Sequence, residues 1–128
     1  MIKSRKSEEH LHTDVILAKI SEYDIFRYYC PNFIECNKKF CSDIRKDQSP
    51  SVSVVYWKGK LLYKDFGHPD HTFDCFNYVK YKYSCNFIEA LTIIDTDFNL
   101  DYLLKKLVRY LQWGIWLLLL IRNLHLRN

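Results

Sequence analysis

The sequence predicts an α+β fold: a small antiparallel β-hairpin sheet at about 51–66, flanked by N-terminal helices and by two helices after it, with a hydrophobic C-terminal helix. Three observations predict it. Residues 51–57 (SVSVVYW) and 60–66 (KLLYKDF) are short β-forming runs joined by Lys58-Gly59, the arrangement of a tight hairpin. On both sides of that unit apolar residues recur at helical spacing. Hydrophobic residues make up 48% and charged residues 27% of the 128, which suits one small packed core rather than a disordered chain.

In chain order, residues 1–12 are polar and read as a flexible N-terminus. Thr13 or Asp14 caps a first helix through VILAKI, and Ser21 opens a capping-type stretch with Ile25, Tyr28 and Tyr29 at helical spacing. Pro31-Asn32 ends it, and residues 31–51 read as a mostly irregular connection. In the hairpin Val52, Val54 and Tyr56 alternate with Ser53, Val55 and Trp57. After the breaker Gly67-His68-Pro69-Asp70, a helix is expected over 72–83 with Phe73, Phe76, Val79 and Tyr83 on one face. Ser84 or Asn86 caps the next, with Phe87, Leu91 and Ile94 in phase, and Asn99 closes the 13–100 domain. Residues 101–128 continue as a hydrophobic helix with basic flanks.

Charge placement says more than its total. The formal charge is +4, but residues 1–100 hold fourteen Lys/Arg against fourteen Asp/Glu, so the excess lies in 101–128, where five Lys/Arg meet only Asp101. Net charge alone therefore does not establish polyanion binding by the whole protein. The odd count of five cysteines, and a start (MIKSRKSEEHLH) without an apolar run, read as reduced thiols in a cytoplasmic protein. The apolar run WGIWLLLLI at 113–121 falls short of the roughly 20 residues a bilayer requires, so no membrane span is expected.

Three clusters carry chemistry. Cys41, His68, His71 and Cys75 are candidate zinc ligands, but no C-x-x-C or C-x-x-H pair occurs and only His68-x-x-His71 has knuckle spacing. The other reading is buried thiols and exposed loop histidines, with no cofactor. Asp65, Asp70 and Asp74 near the two histidines have the composition of a Mg²⁺ site or of helix caps and solvated acids. No phosphate-binding glycine loop or G-x-S-x-G segment adds to an enzymatic reading. Around the hairpin, Arg45, Lys46, Lys58, Lys60 and Lys64 surround Tyr56, Trp57 and Tyr63. Cations that track phosphates beside rings that stack on bases are how single strands are bound; the alternative is a solvated face over a core of aromatics.

Residues 40–100 resemble the N-terminal zinc-binding domain of bacterial and phage DNA primases. The matching pieces are Arg45-Lys46-Asp47 before Ser49-Pro50-Ser51, the Lys58-Gly59-Lys60 turn, Tyr63-Lys64-Asp65-Phe66-Gly67, Phe73-Asp74-Cys75-Phe76 and Phe87-Ile88-Glu89-Ala90. The resemblance implies a zinc-ribbon-like fold that binds single-stranded template DNA in replication. It departs at the metal: Cys41 alone falls on a ligand position of the first knuckle, with Ile44 where a histidine is expected, and the second knuckle keeps only Gly67. A degenerate form without zinc is implied, its hairpin held by Tyr63, Phe66, Phe73 and Phe76 in place of the metal. Arg45, Lys46, Lys58, Lys60 and Lys64 are then phosphate contacts, Trp57 or Tyr63 a stacking ring, and Asp47 a loop-ordering residue. No polymerising domain follows Leu100, so no catalysis is expected from residues 1–128. The implied partners are single-stranded DNA and a replicative helicase or the remainder of a primase. The 101–128 segment departs from the family and reads as a docking helix, for a helicase or a second copy, or as the mark of a truncated or frame-disrupted chain.

Overall fold

The Lys58-Gly59 turn organises the sheet. Lys58 (φ 49°) and Gly59 (φ 79°) both adopt left-handed conformations, the requirement of a type I′ turn whose twist matches paired strands. A computed structural model describes residues 11–126, and in it the turn joins β1 (Val52–Trp57) to β2 (Lys60–Asp65), with Val52 opposite Asp65 and Trp57 opposite Lys60. A short β3 (Thr72–Phe73) completes an antiparallel sheet of order β1-β2-β3, pairing Tyr63 with Phe73 and Lys64 with Thr72. The helix expected over 72–83 is therefore shorter. Its first residues extend the sheet, and Asp74 caps what remains by accepting from the Asn77 amide.

The helices are α1 (Thr13–Leu17), α2 (Glu22–Tyr29), α3 (Cys75–Lys82), α4 (Phe87–Asp97) and α5 (Tyr102–Leu126). Helix α1 starts after His12 with no side-chain cap, so neither Thr13 nor Asp14 plays that part. Reciprocal capping boxes open α2 (Ser21 with Asp24) and α4 (Asn86 with Glu89), each satisfying backbone donors that a helix start leaves orphaned. Ser84 and Asn99 take the left-handed conformation just beyond α3 and α4. The Cys85 and Leu100 amides then close back on the Lys80 and Asp95 carbonyls, as in a Schellman ending. Of the expected flexible start, residues 1–10 lie outside the described residues.

The core lies between the sheet and α2, α3 and α4, with Ile16, Ile25, Phe26, Phe33, Val52, Val54, Tyr63, Tyr78, Val79, Leu91 and Ile94 buried. Rings dominate it: Tyr63 and Tyr78 lie 5.0 Å apart and Phe26 and Tyr78 5.8 Å, centroid to centroid. Such pairs add about 0.5–1.5 kcal/mol each beyond area burial. Tyr83, expected on the buried face, is exposed because α3 has already ended.

The irregular 31–51 segment is held by polar groups. Asn32 donates to the Cys41 carbonyl and Arg27 to the Phe33 carbonyl. Asp43 accepts from the Tyr78 hydroxyl and the Lys82 ammonium, and Ser42 accepts from the Tyr63 hydroxyl at 2.9 Å. Phe40 bridges to Val52, attaching the segment to the free edge of β1.

Candidate nucleic-acid interface

The parity of the strands puts Ser53, Val55, Trp57, Lys60, Leu62 and Lys64 on one sheet face. Toward the turn this face is open. Trp57 is 56% exposed, with the Lys58 ammonium 5.8 Å and the Lys64 ammonium 5.5 Å from its ring centroid. Lys60 is exposed directly across from Trp57. The tip thus presents one broad ring among three cations, a geometry in which the ring face attracts charge and remains open to stacking.

Lys58 holds its place at a cost. A left-handed conformation disfavours a residue with a Cβ by about 1–2 kcal/mol, and Gly or Asn supplies it more readily. The structure therefore places a lysine where turn stability alone favours another residue.

Tyr56, one of the rings among the basic residues in the sequence but not one of the two read as stacking, is 67% exposed at the same tip. Alternation groups it with buried Val52 and Val54, but it lies beyond the end of the core. The signal available in the sequence was its position next to the turn.

Two predicted site residues belong elsewhere. Tyr63 is fully buried, its ring packed on Phe40, Phe73 and Tyr78. It cannot stack on a base; burial also pushes its hydroxyl pKa well up. Arg45 is not an open phosphate contact either. Its Nε and Nη2 donate to Asp65 at 2.6 and 2.9 Å, Nη2 also to Ser51, and Nη1 to the Lys46 carbonyl. Lys46 is exposed, but it follows Arg45 at the base of the hairpin. Six strand residues separate base and tip, about 20 Å.

That base is a closed polar cluster. The Asp65 side chain is wholly buried and also accepts from the Gly67 amide and the Ser51 hydroxyl. The Arg45 hydrogen bonds hold its carboxyl below the ordinary range against the opposing effect of burial, with help from Gly67 and Ser51. Asp47 accepts from the Ser42 amide and Ser51 hydroxyl, and so orders the 42–51 loop. A Cβ at Gly67 would lie 2.6 Å from Nη2 of Arg45, so glycine makes room for the guanidinium. The packing centre anticipated from Phe66 is corrected accordingly: Phe66 is exposed, and Asp65 beside it is the inward residue.

The zinc candidates are not assembled. Among the described residues no group of three or more His, Cys, Asp or Glu side chains is placed to hold a metal. Cys75 is buried in the core, where burial pushes its thiol pKa well up, and burial followed by Asp43 pushes Cys30 up to about 11. Both effects oppose thiolate chemistry. The two histidines are not simply exposed loop residues. Their rings stack at 3.9 Å, His71 is buried, and its Nε2 shares a hydrogen bond with the Tyr81 hydroxyl at 3.1 Å. Neither Nδ1 has a hydrogen-bond partner. Nor do the acids form a catalytic set: Asp65 is taken by Arg45, and Asp74 caps α3. A separate cleft of about 880 Å³ along α3 is lined by Phe73, Lys80, Tyr81 and Cys85 together with Asp43 and Lys82, which are paired to each other.

No family model matches the chain, and comparison with curated proteins and with solved structures returns no match. Among the described residues no helix is long and apolar enough to cross a membrane.

Proposed function

We propose that this protein binds single-stranded DNA through the tip of its β-hairpin, as a zinc-less module of primase-like type acting in DNA replication. The carrying observation is Trp57, exposed and flanked by the ammonium groups of Lys58 and Lys64, with Lys60 across the strand. The ring stacks on a base while the lysines contact adjacent phosphates, a mode that tolerates any sequence. The Arg45–Asp65 pair supports the primase-like part of the reading. It joins the 41–51 loop to the end of β2, the two segments in which the family resemblance puts its metal knuckles. An ion pair then replaces the metal in fastening the hairpin base. A helicase, or the rest of a primase, is the partner such a module would serve.

The test is titration of chelator-treated protein into a fluorescent single-stranded oligonucleotide at two salt concentrations. Three phosphate-contacting lysines give a slope of about −2 in log affinity against log salt, or about 20-fold weaker binding from 50 to 200 mM salt. Trp57→Ala is expected to weaken binding by the ~1–3 kcal/mol of one stacked base. No binding at 50 mM salt, or unchanged affinity in Trp57→Ala, would overturn the proposal.

A further inference from the structure

Helix α5 leaves the body at its first turn, where buried Asp95 accepts from the Tyr102 and Leu103 amides. Every residue from 104 to 122 is exposed. At helical spacing, Leu107, Leu111, Gly114, Leu118 and Ile121 form one stripe; Lys105, Arg109, Gln112 and Trp116 form the opposite one, which is polar in its first half and flanked by exposed Leu119 and Leu120 at its far end. Beside the apolar stripe lie Leu104 and Ile115 on one flank and Trp113 and Leu117 on the other, all exposed.

The width of this surface decides its occupant. A second helix covers a seam of about two positions per heptad, which would leave Leu104, Ile115, Trp113 and Leu117 in water. A lipid surface covers the whole arc. The charges suit an anionic surface: Lys105 and Arg109 lie opposite the stripe, Lys106 and Arg122 lie along its two edges where a long side chain reaches back to the headgroups, and Asp101 is the sole acid of 101–128. The apolar run at 113–121 rises only about 14 Å, less than half the roughly 30 Å hydrocarbon core, so the helix fits along a surface and not across it. Tyr110, Trp113 and Trp116 are the ring types that settle at headgroup level.

We propose that α5 binds in the plane of an anionic lipid surface, its Leu107–Ile121 stripe in the acyl boundary and Lys105 and Arg109 toward the phosphates. The inference is independent of the hairpin reading.

The experiment uses the full chain carrying Trp57→Phe, so that Trp113 and Trp116 alone report. It measures co-sedimentation and indole emission with phosphatidylcholine vesicles, with and without phosphatidylserine. Binding and a blue shift are expected with the anionic vesicles. Each basic residue contributes about fivefold, so Lys105→Gln with Arg109→Gln weakens binding about 25-fold. Leu107→Glu with Leu118→Glu abolishes it; both positions are exposed, and an unchanged melting profile confirms the folded body. A chain that stays in the supernatant, or binds both vesicles equally, overturns the proposal. So does a dimer in sedimentation velocity that Leu107→Glu disrupts in the absence of vesicle binding, which would assign the stripe to a second copy.

Discussion

Replacing Asp65 by asparagine tests the hairpin base directly. The wild-type carboxylate is buried and accepts the Arg45 Nε at 2.6 Å on Oδ2, with Nη2, the Gly67 amide and Ser51 on Oδ1. Asparagine preserves the shape and can keep the Oδ1 partners, but it turns an NH₂ donor toward the guanidinium. One charge-assisted hydrogen bond is lost and a donor–donor conflict replaces it, a cost of about 3 kcal/mol. At roughly 4 °C per kcal/mol for a domain of this size, the melting temperature falls by about 12 °C. The pH dependence fixes the cause. The Asp65 pKa is lowered in the folded state, chiefly by Arg45. Its stabilisation is therefore present above the ordinary value of 3.8 and lost as pH falls through the lower folded value. Urea unfolding at neutral pH and at about pH 3 should show the gap between wild type and Asp65→Asn narrowing on the acid side. A gap within a few tenths of a kcal/mol at neutral pH, or one that does not narrow with acid, refutes the reasoning.

Other outcomes separate structural from binding residues. Lys58→Asn relieves the left-handed strain at φ 49°, so it should stabilise the fold by about 1 kcal/mol in urea unfolding while reducing the DNA salt slope by about 0.7. Tyr63→Phe removes the hydrogen bond to Ser42 and should cost about 1 kcal/mol of stability with no change in DNA affinity. Burial, then His68, depresses the His71 pKa below its ordinary 6.5, so the folded form favours the neutral ring. Stability is then highest above 6.5 and declines as pH falls from 6.5 through the folded value. His71→Phe should flatten that decline in melting temperatures measured from pH 7.5 to 5.

The local signals in this sequence were readable because they are short-range. Lys58-Gly59 marked the turn, Asn86 and Ser21 marked helix starts, and Asp47 was read as a loop-ordering residue; each has that role in the structure. What failed was long-range or depended on position within an element. Arg45 and Asp65 meet across 20 residues, and nothing in either segment names the other. Tyr63 reads both as a stacking ring and as a packing ring of the hairpin; its parity with Val54, its cross-strand partner, places it inward and decides for packing. The start of α3 was set too early because Thr72 and Phe73 suit a strand as well as a helix. Only pairing with Tyr63 and Lys64 decides between them. Among the candidate residues Trp57, Lys58 and Lys60 are neighbours through one turn, Lys64 reaches Trp57 from farther down β2, and Arg45 is held by a distant partner.

The carboxylate of Asp95 has a mechanical consequence. It caps the start of α5 from within α4, where a flexible connection would have left the long helix free to pivot. The 25 residues of α5 form a rod about 37 Å long, so each 10° of rotation at this joint sweeps the far end through about 6 Å. One buried side chain thus sets the direction in which a long rod leaves the body.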